Sequence, residues 1–269
     1  MAKPVLLVGC GKMGGALLSG WLQRQDLPGG VYVIEPNAAG LGTFRGAAGV
    51  SLHPSAGDLP AGLDPEILVL AVKPQMMDAA LPPLRRFTGA TVLSIAAGKT
   101  LAYFSRSFGA EAPIVRSMPN TPASVGRGIT VAVANARVSA AQRRRCHGLL
   151  AAVGQVEWVE DEGLLDAVTA LSGGGPAYVF LLIECLAAAG AEAGLPADLA
   201  MRLARATVSG AGELARLSEG PASQLRQNVT SPGGTTLEAL KVLMAEDGLQ
   251  PLFNRAIAAA TRRSRELAG

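Results

Sequence analysis

A chain of 269 residues, 49% of them hydrophobic, can bury a substantial core and is long enough for one large domain or two modest ones. Its 24 lysines and arginines nearly balance 21 aspartates and glutamates, and the net charge of +3 gives no reason to expect nucleic-acid binding. The three cysteines, Cys10, Cys146 and Cys185, form no C-x-x-C pair and indicate neither a zinc site nor a disulfide framework. We therefore expect a reduced, cytoplasmic protein without a bound metal.

Short apolar and β-branched runs alternate with helical segments through the first 160 residues. The predicted strands lie near residues 4–9, 31–34, 49–52, 66–71, 90–95, 113–117, 128–134 and 155–158. The runs at 67–72 and 91–97 are apolar without a two-residue period, as expected for strands covered on both faces. Such alternation is typical of a parallel sheet flanked by helices, so we predict an α/β domain over residues 1–160.

Strand signals stop after Trp158, and the rest of the chain has apolar residues at helical spacing. This pattern predicts a second, all-helical domain over residues 161–269. The stretch 177–195 comes nearest to a membrane span, but Glu184 and Glu192 interrupt it and neither flank is basic. We expect no membrane contact, and a helix that is buried in a core or in a subunit interface.

The segment GCGKMG at 9–14 fits the pattern GxGxxG between a predicted strand and an amphipathic helix. Glycine permits the tight turn at the first position, close approach of a pyrophosphate at the second, and close packing of helix and strand at the third. The helix N-terminus adds N–H donors and a partial positive charge. A plain strand-to-helix turn is the alternative. We expect a dinucleotide to contact Gly9, Gly11, Lys12, Met13 and Gly14.

The choice between NADH and NADPH depends on the end of the second predicted strand. Glu35 lies there, where a carboxylate accepts hydrogen bonds from the ribose 2′-hydroxyl and repels a 2′-phosphate. Asn37 and Arg45 are close enough in sequence to offer rival phosphate donors, and Glu35 is free to turn away. The residues favour NADH, and we place Glu35 and Asn37 in the cofactor site.

Loops after the fourth, fifth and sixth predicted strands should gather at the carboxyl edge of the sheet, where a substrate would meet the cofactor. Prolines on both sides of Asn120-Thr121 hold the last loop open. The Asn120 amide would suit the nicotinamide carboxamide, although a rigid turn with a self-capping Asn fits the pattern equally well. We assign to cofactor binding Ala71, Val72, Lys73, Pro74, Ala96, Ala97, Gly98 and Asn120.

Histidine is nearly absent from the chain. His53 lies beside a proline and His147 in a basic helix, and neither belongs to a motif. A dehydrogenase that uses a histidine as general acid on a 2-hydroxy acid is therefore disfavoured. A protonated imine already carries its proton, so a substrate of that class needs only hydride delivery to carbon.

Six motifs occur in the order and at the spacing of the pyrroline-5-carboxylate reductase family, which the chain resembles along essentially its whole length. They are VGCGKMGGAL at the start, LAVKPQ at 70–75, SIAAG at 94–98, VRSMPNTPASVGRG at 115–128, LSGGGPAYVF at 171–180 and NVTSPGGTTLEAL at 228–240. The resemblance implies a Rossmann-like NAD(P)-binding domain followed by a helical dimerisation domain that interlocks with a second subunit. It also implies reduction of 1-pyrroline-5-carboxylate to L-proline, the last step of proline biosynthesis, by a homodimer or an assembly of dimers.

The resemblance further assigns the SPGGTT loop to the substrate. By that assignment the substrate carboxylate and ring nitrogen would be bound by Ser231, Gly233, Gly234, Thr235 and Thr236, with Thr236 as the catalytic residue at the nitrogen. Consecutive glycines expose backbone donors to an anion, and a threonine hydroxyl either gives or accepts a hydrogen bond, which agrees with that role. Without the resemblance, Thr235 and Glu238 read as a capping box at a helix start.

Glu219 matches a position where the family carries an acid near the substrate, and an exposed helix-end glutamate is the plain alternative. The chain departs from the family at Gly174, where Ser is common, and at Glu35, because many relatives prefer NADPH. Three other functions remain open: a related β-hydroxyacid dehydrogenase, a reductase of another cyclic imine, and a non-catalytic dinucleotide-binding regulator. The first would need a helical-domain lysine as acid, and Lys241 does not lie in that pattern.

Overall fold

The computed structural model describes residues 2–268, and an eight-stranded sheet is its central feature. The strands are β1 (Val5–Val8), β2 (Val31–Ile34), β3 (Val50–His53), β4 (Ile67–Leu70), β5 (Thr91–Ser94), β6 (Ile114–Met118), β7 (Gly128–Ala134) and β8 (Gly154–Trp158). In space they run β3-β2-β1-β4-β5-β6-β7-β8, and all neighbours are parallel except β6 and β7. The predicted α/β fold is confirmed, and the strand order reverses between β1 and β4, the point where open sheets of this kind bind ligands.

Helices connect the strands and then form the rest of the chain. They are α1 (Lys12–Arg24), α2 (Met77–Ala80), α3 (Leu101–Phe108), α4 (Ala140–Ala151), α5 (Leu164–Val168), α6 (Gly175–Glu192), α7 (Ala197–Leu217), α8 (Ala222–Asn228), α9 (Thr235–Leu243) and α10 (Leu249–Ala268). A π-helical turn, Thr169–Gly173, follows α5, and the connection between β2 and β3 is a 3-10 segment, Ala38–Phe44. Beyond residue 158 the described chain contains no strand, as predicted.

Two apolar layers cover the two faces of the sheet. Successive residues of β1 enter opposite layers: Leu7 packs in the layer that contains Trp21 of α1, and Leu6 faces the layer that contains Phe104 of α3. All four side chains are fully buried, and the Trp21 indole Nε1 donates to the Leu149 carbonyl at 2.8 Å. This double coverage explains why the central strands are continuously apolar in sequence.

The chain divides into two compact units. One unit, called the sheet unit below, comprises the residues up to Gly173 together with the segment from Ala260 onward. The other, the helical unit, is Gly174–Ala259. The end of α10 therefore groups with the sheet unit although the helix begins in the helical unit.

The helical unit leaves most of its apolar residues uncovered. On α6, only Ala187 is buried, whereas large side chains such as Phe180 and Leu181 are 59% and 57% exposed. By length and composition the segment Leu164–Glu192 is able to cross a membrane, and 6% of its apolar window is buried within the chain. The helix was predicted to be buried either in a core or in a subunit interface, and the chain alone does not bury it in a core. Contiguous exposed apolar side chains of this kind are typical of a protein or membrane interaction site.

Candidate active site

The three glycines of the GxGxxG loop between β1 and α1 differ in how closely other atoms surround them. Gly9 has a φ of +92°, and a Cβ there would lie 2.8 Å from the carbonyl carbon of Ala71. A Cβ at Gly14 would lie 2.2 Å from the Gly9 carbonyl oxygen, so α1 starts in direct backbone contact with the loop. Around Gly11, in contrast, no protein atom lies within 4 Å of the Cβ position. The loop is thus packed on both ends and open in the middle, where a ligand could approach the backbone.

Glu35 follows β2 and holds this loop from the side. One carboxylate oxygen, Oε2, accepts a hydrogen bond from the Cys10 N–H at 2.7 Å, and Oε1 accepts one from the Asn37 N–H at 2.9 Å. The side chain has therefore not turned away from the loop. Burial, together with the negative charge of Glu35, raises the pKa of the Cys10 thiol to about 11, so the thiol is neutral near pH 7.

A pocket of about 220 Å³ opens beside Glu35 at the carboxyl ends of β2 and β3. Arg45 lines this pocket together with Glu35, so the acid and its predicted rival face the same space. His53 lines it as well, stacked on Tyr32 at 5.7 Å between ring centroids and bonded through Nε2 to the Ser51 hydroxyl at 2.8 Å. The sequence analysis did not predict that His53 lines this pocket, because the residue lies in no motif. Its position at the carboxyl end of β3 was the one feature of the sequence that could have indicated it.

The loops after β4 and β5 lie at the same edge of the sheet as the glycine loop. The Ala71 N–H donates to the Val8 carbonyl at 2.8 Å, which joins the start of the β4 loop to β1. The Ala96 N–H donates to the Ser94 hydroxyl at 3.2 Å, and Gly98 has a φ of +72°. Because β2, β1, β4, β5 and β6 are parallel neighbours, their carboxyl ends lie at one edge of the sheet. The residues predicted to bind the cofactor follow these ends, with Lys73, Pro74, Val72 and Ala97 among them.

Both the oxygen and the nitrogen of the Asn120 side-chain amide form hydrogen bonds within the protein. The Oδ1 atom accepts from the Ile129 N–H at 3.0 Å, and Nδ2 donates to the Ser172 carbonyl at 3.2 Å. The side chain makes no capping hydrogen bond to the 3-10 segment Thr121–Val125 that follows it. Asn120 thus joins the β6 loop to the start of β7 and to the π-helical turn. The second Nδ2 hydrogen and the second Oδ1 lone pair are the groups that a nicotinamide carboxamide would use.

The SPGGTT loop lies in the helical unit, between α8 and α9. Ser231 accepts through its carbonyl from the Gly234 N–H at 3.1 Å, and Gly233 has a φ of +70°. Gly234 is the N-cap of α9, and Thr235 and Thr236 are the first two residues of the helix. Backbone N–H groups in the first turn of a helix have no partner within the helix and favour a negative charge. The loop therefore places two hydroxyls beside donors suited to a carboxylate.

The predicted capping box at Thr235 is wrong. Gly234 occupies the N-cap position with extended backbone, so no side-chain oxygen caps α9. Glu238 instead pairs with Lys241 at 2.7 Å, one turn further along the same helix face. Because the helix begins one residue earlier than the pattern indicated, Thr235 lies inside the first turn and its hydroxyl is not used as a cap.

Two further positions noted in the sequence are Glu219 and Gly174. Glu219 is exposed in the connection between α7 and α8. Gly174, at the start of α6, has φ of −81° and ψ of −20°, a conformation that every residue adopts. Serine at position 174 would therefore be compatible with the local backbone.

Comparisons with known proteins cover the entire chain. A family model described as pyrroline-5-carboxylate reductase dimerisation matches residues 162–267, and one described as NADP oxidoreductase, coenzyme F420-dependent, matches residues 4–98. Pyrroline-5-carboxylate reductase from Pseudomonas aeruginosa is 40% identical over 100% of this chain and 98% of the relative.

Solved structures agree with this similarity. A pyrroline-5-carboxylate reductase structure from Coxiella burnetii is 34% identical, with a TM-score of 0.90 over 100% of both chains. A pyrroline carboxylate reductase from Plasmodium falciparum, solved with NADP bound, is 27% identical, with a TM-score of 0.79 over 99% of this chain and 98% of that one. The likeness thus extends over the sheet unit and the helical unit alike.

Proposed function

The chain belongs to the pyrroline-5-carboxylate reductase family, and we propose that it reduces the imine carbon of 1-pyrroline-5-carboxylate to give L-proline. The observation that carries this proposal is a glycine loop open at Gly11 at the β1–β4 switch of an NAD(P)-binding fold. The residues fit a nicotinamide dinucleotide, because the open loop leads into the N-terminus of α1, whose N–H donors suit a pyrophosphate. NAD(P)H, when bound, supplies the hydride.

The protein's own contribution is to bind and to orient. We place the nicotinamide end of the site near Asn120 and the loop Ala96–Gly98, and the ribose beside Lys73 and Pro74. A substrate that already carries its proton on nitrogen requires no general acid, which agrees with the absence of a histidine from the predicted motifs. Most of the acceleration would then come from holding the imine carbon at a reactive distance, roughly 3–3.5 Å, from the hydride donor.

We propose that the SPGGTT loop binds the substrate. Gly233, Gly234 and the first turn of α9 supply backbone donors for the carboxylate, and the Thr236 hydroxyl holds the ring nitrogen. Ser231 and Thr235 flank this position. Glu219 is proposed as an additional acid near the substrate, on the family pattern alone.

We also propose that the working form is a homodimer, or an assembly of dimers, in the cytoplasm. Neither α8 nor α9 contains a buried residue, so the chain alone gives the substrate loop little support. A partner that covers the apolar helices would fix the loop and bring it to a cofactor site. The family model matched to residues 162–267, described as dimerisation, supports this arrangement.

For the cofactor we propose a preference for NADH. Glu35 is fixed by two backbone N–H groups, so a 2′-phosphate entering the adjacent pocket would meet a carboxylate that cannot easily withdraw. Arg45 on the same pocket is the residue that NADPH would use. Replacing Glu35 by serine should therefore lower kcat/KM for NADH and raise it for NADPH, and the NADPH gain should disappear when Arg45→Ala is added.

The test is the loss of absorbance at 340 nm with 1-pyrroline-5-carboxylate and each cofactor. Turnover establishes the reductase, and the ratio of the two kcat/KM values decides the preference. Thr236→Ala should reduce kcat/KM, whereas Thr236→Ser, which keeps the hydroxyl, should restore most of it. If the protein binds the cofactor but does not reduce pyrroline-5-carboxylate, its substrate is another cyclic imine. If it binds the cofactor but reduces no imine at all, it is a non-catalytic dinucleotide-binding regulator.

A further inference from the structure

The last residues of α10 are anchored to the sheet unit by a shielded hydrogen bond. Ser264 is 7% exposed, and its hydroxyl donates to Oδ1 of Asp166 in α5 at 2.7 Å. Arg265 Nε lies 3.8 Å from the other carboxylate oxygen of Asp166, whose side chain is 16% exposed. Hydrogen bonds to a charged group that is shielded from water are stronger than ordinary ones. The helix end is therefore fixed relative to α5.

The same helix end touches the loop after β5. A Cβ at Gly98 would lie 3.0 Å from the Leu267 carbonyl oxygen and 3.4 Å from its carbonyl carbon. With a φ of +72° as well, residue 98 has two independent reasons to be glycine. The two nearest atoms belong to the Leu267 backbone, and the Leu267 Cβ lies 3.6 Å from the same position, although the residue as a whole is 61% exposed.

The rest of that loop is fixed at both ends within the sheet unit. At its start, the Ala96 N–H is bonded to the Ser94 hydroxyl. At its end, the Leu101 N–H donates to Glu162 Oε1 at 2.8 Å, and the same oxygen accepts from the buried Arg116 guanidinium at 2.8 Å. The Leu267 backbone therefore contacts the segment between two fixed points, where it limits the room into which Gly98 is able to move.

We propose that the C-terminal turn of α10 is a positioning element for the cofactor, because its backbone holds the loop Ala96–Gly98 in the conformation that binds the nicotinamide end. The inference rests on the proposed function, which assigns this loop to the cofactor. None of the α10 residues needs to touch the cofactor. Their effect should appear in cofactor affinity and leave the chemical step unchanged.

The test compares five variants of the protein, a C-terminal deletion and four single substitutions. Deletion of residues 267–269 removes the Leu267 backbone that contacts Gly98, and Ser264→Ala removes the anchor to Asp166. Glu266→Ala is the control, because this exposed residue pairs with Arg263 on the same helix. For each variant, the Kd for NADH is measured by fluorescence titration, and KM and kcat by absorbance, with the oligomeric state checked by sedimentation.

We expect the deletion and Ser264→Ala to raise the Kd and KM for NADH about three- to tenfold, the effect of losing one ordinary interaction, with kcat within about twofold. Asp166→Asn, which keeps an acceptor for Ser264, should recover most of the affinity lost in Asp166→Ala. An unchanged Kd in the deletion variant, or a fall in kcat at unchanged Kd, would overturn the inference. If the unaltered enzyme binds NADH but does not reduce the imine, the proposed function fails instead, and the binding titrations still decide the inference.

Discussion

The sheet unit buries its apolar strands within the chain, whereas the helical unit leaves most of its apolar residues exposed. Strands β1 and β4 are completely buried between two layers of the same chain. Within residues 175–243 the buried residues are three alanines, Ala187, Ala200 and Ala204, while leucine, valine and phenylalanine side chains remain exposed. Similar apolar content thus serves an internal core in one unit and a surface for a partner in the other. The hydrophobicity of a sequence therefore does not say whether its apolar residues are covered by the same chain or by a partner.

The largest expected effect comes from placing a charge on the exposed surface of the helical unit. Phe180→Glu should weaken dimerisation at least about 100-fold, since an unpaired carboxylate in a buried interface costs about 3 kcal/mol or more. Sedimentation velocity measures the loss, and reductase activity should fall with it. Val125→Glu is the matched control, because Val125 is 73% exposed on the sheet unit. If Phe180→Glu still forms dimers, the exposed apolar surface of the helical unit is not the dimer interface.

The next effect concerns the sheet unit alone. Gly14→Ala puts a Cβ 2.2 Å from a backbone oxygen, which cannot move without displacing the glycine loop. We expect roughly 30-fold weaker NADH binding, from about 2 kcal/mol of overpacking, with the dimer unchanged. Gly148→Ala in α4 should leave binding as it was, because no atom outside the adjacent residues and the nearby backbone of the helix itself lies within 4 Å of the Cβ position. Equal affinities for the two variants would show that the loop tolerates this displacement.

A smaller effect is expected at the ion pair between β6 and the start of the helical sequence. Glu162→Ala leaves the Arg116 guanidinium, whose side chain is 6% exposed, without its partner and removes the acceptor for the Leu101 N–H. Since Glu162 itself is 28% exposed, we expect about 1–2 kcal/mol less stability in urea unfolding, below the cost for a fully buried pair. Glu160→Ala, which breaks an exposed pair with Arg143, should change stability by less than about 0.5 kcal/mol.

A further effect should appear only in alkali. Burial raises the pKa of the Cys10 and Cys146 thiols to about 11 and about 12, above the ordinary value of 9.0. The stability that follows is complete below pH 9 and is lost as the pH rises through the two folded-state pKa values. Replacing both residues by alanine should reduce the fall in the free energy of unfolding between pH 9 and 11. The same slope in the unaltered protein and in the double variant would contradict this account.

Much of the sheet unit could be predicted because its signals are local. Each strand run lies within one or two residues of an observed strand, and the three glycines of GxGxxG stand where a strand ends and a helix begins. Parallel strands bring their carboxyl ends to one edge, so motifs far apart in the chain were expected to meet there. In the helical unit the sequence predicted helices but not how they pack. Helical spacing of apolar residues identifies an apolar face, and it does not show which element or chain packs against that face.

The order of strands and helices, the position of the dinucleotide loop and the family motifs could be read from the sequence alone, because each depends on neighbouring residues or on a spacing of a few positions. Three contacts required the folded chain: Glu35 accepts from the Cys10 N–H, the Asn120 amide bonds within the protein, and the end of α10 contacts Gly98. These contacts join residues as much as 169 positions apart, Gly98 to Leu267 being the widest separation. A hydrogen bond or a backbone contact at that separation leaves no periodic trace in the sequence, so it becomes visible only when the chain has folded.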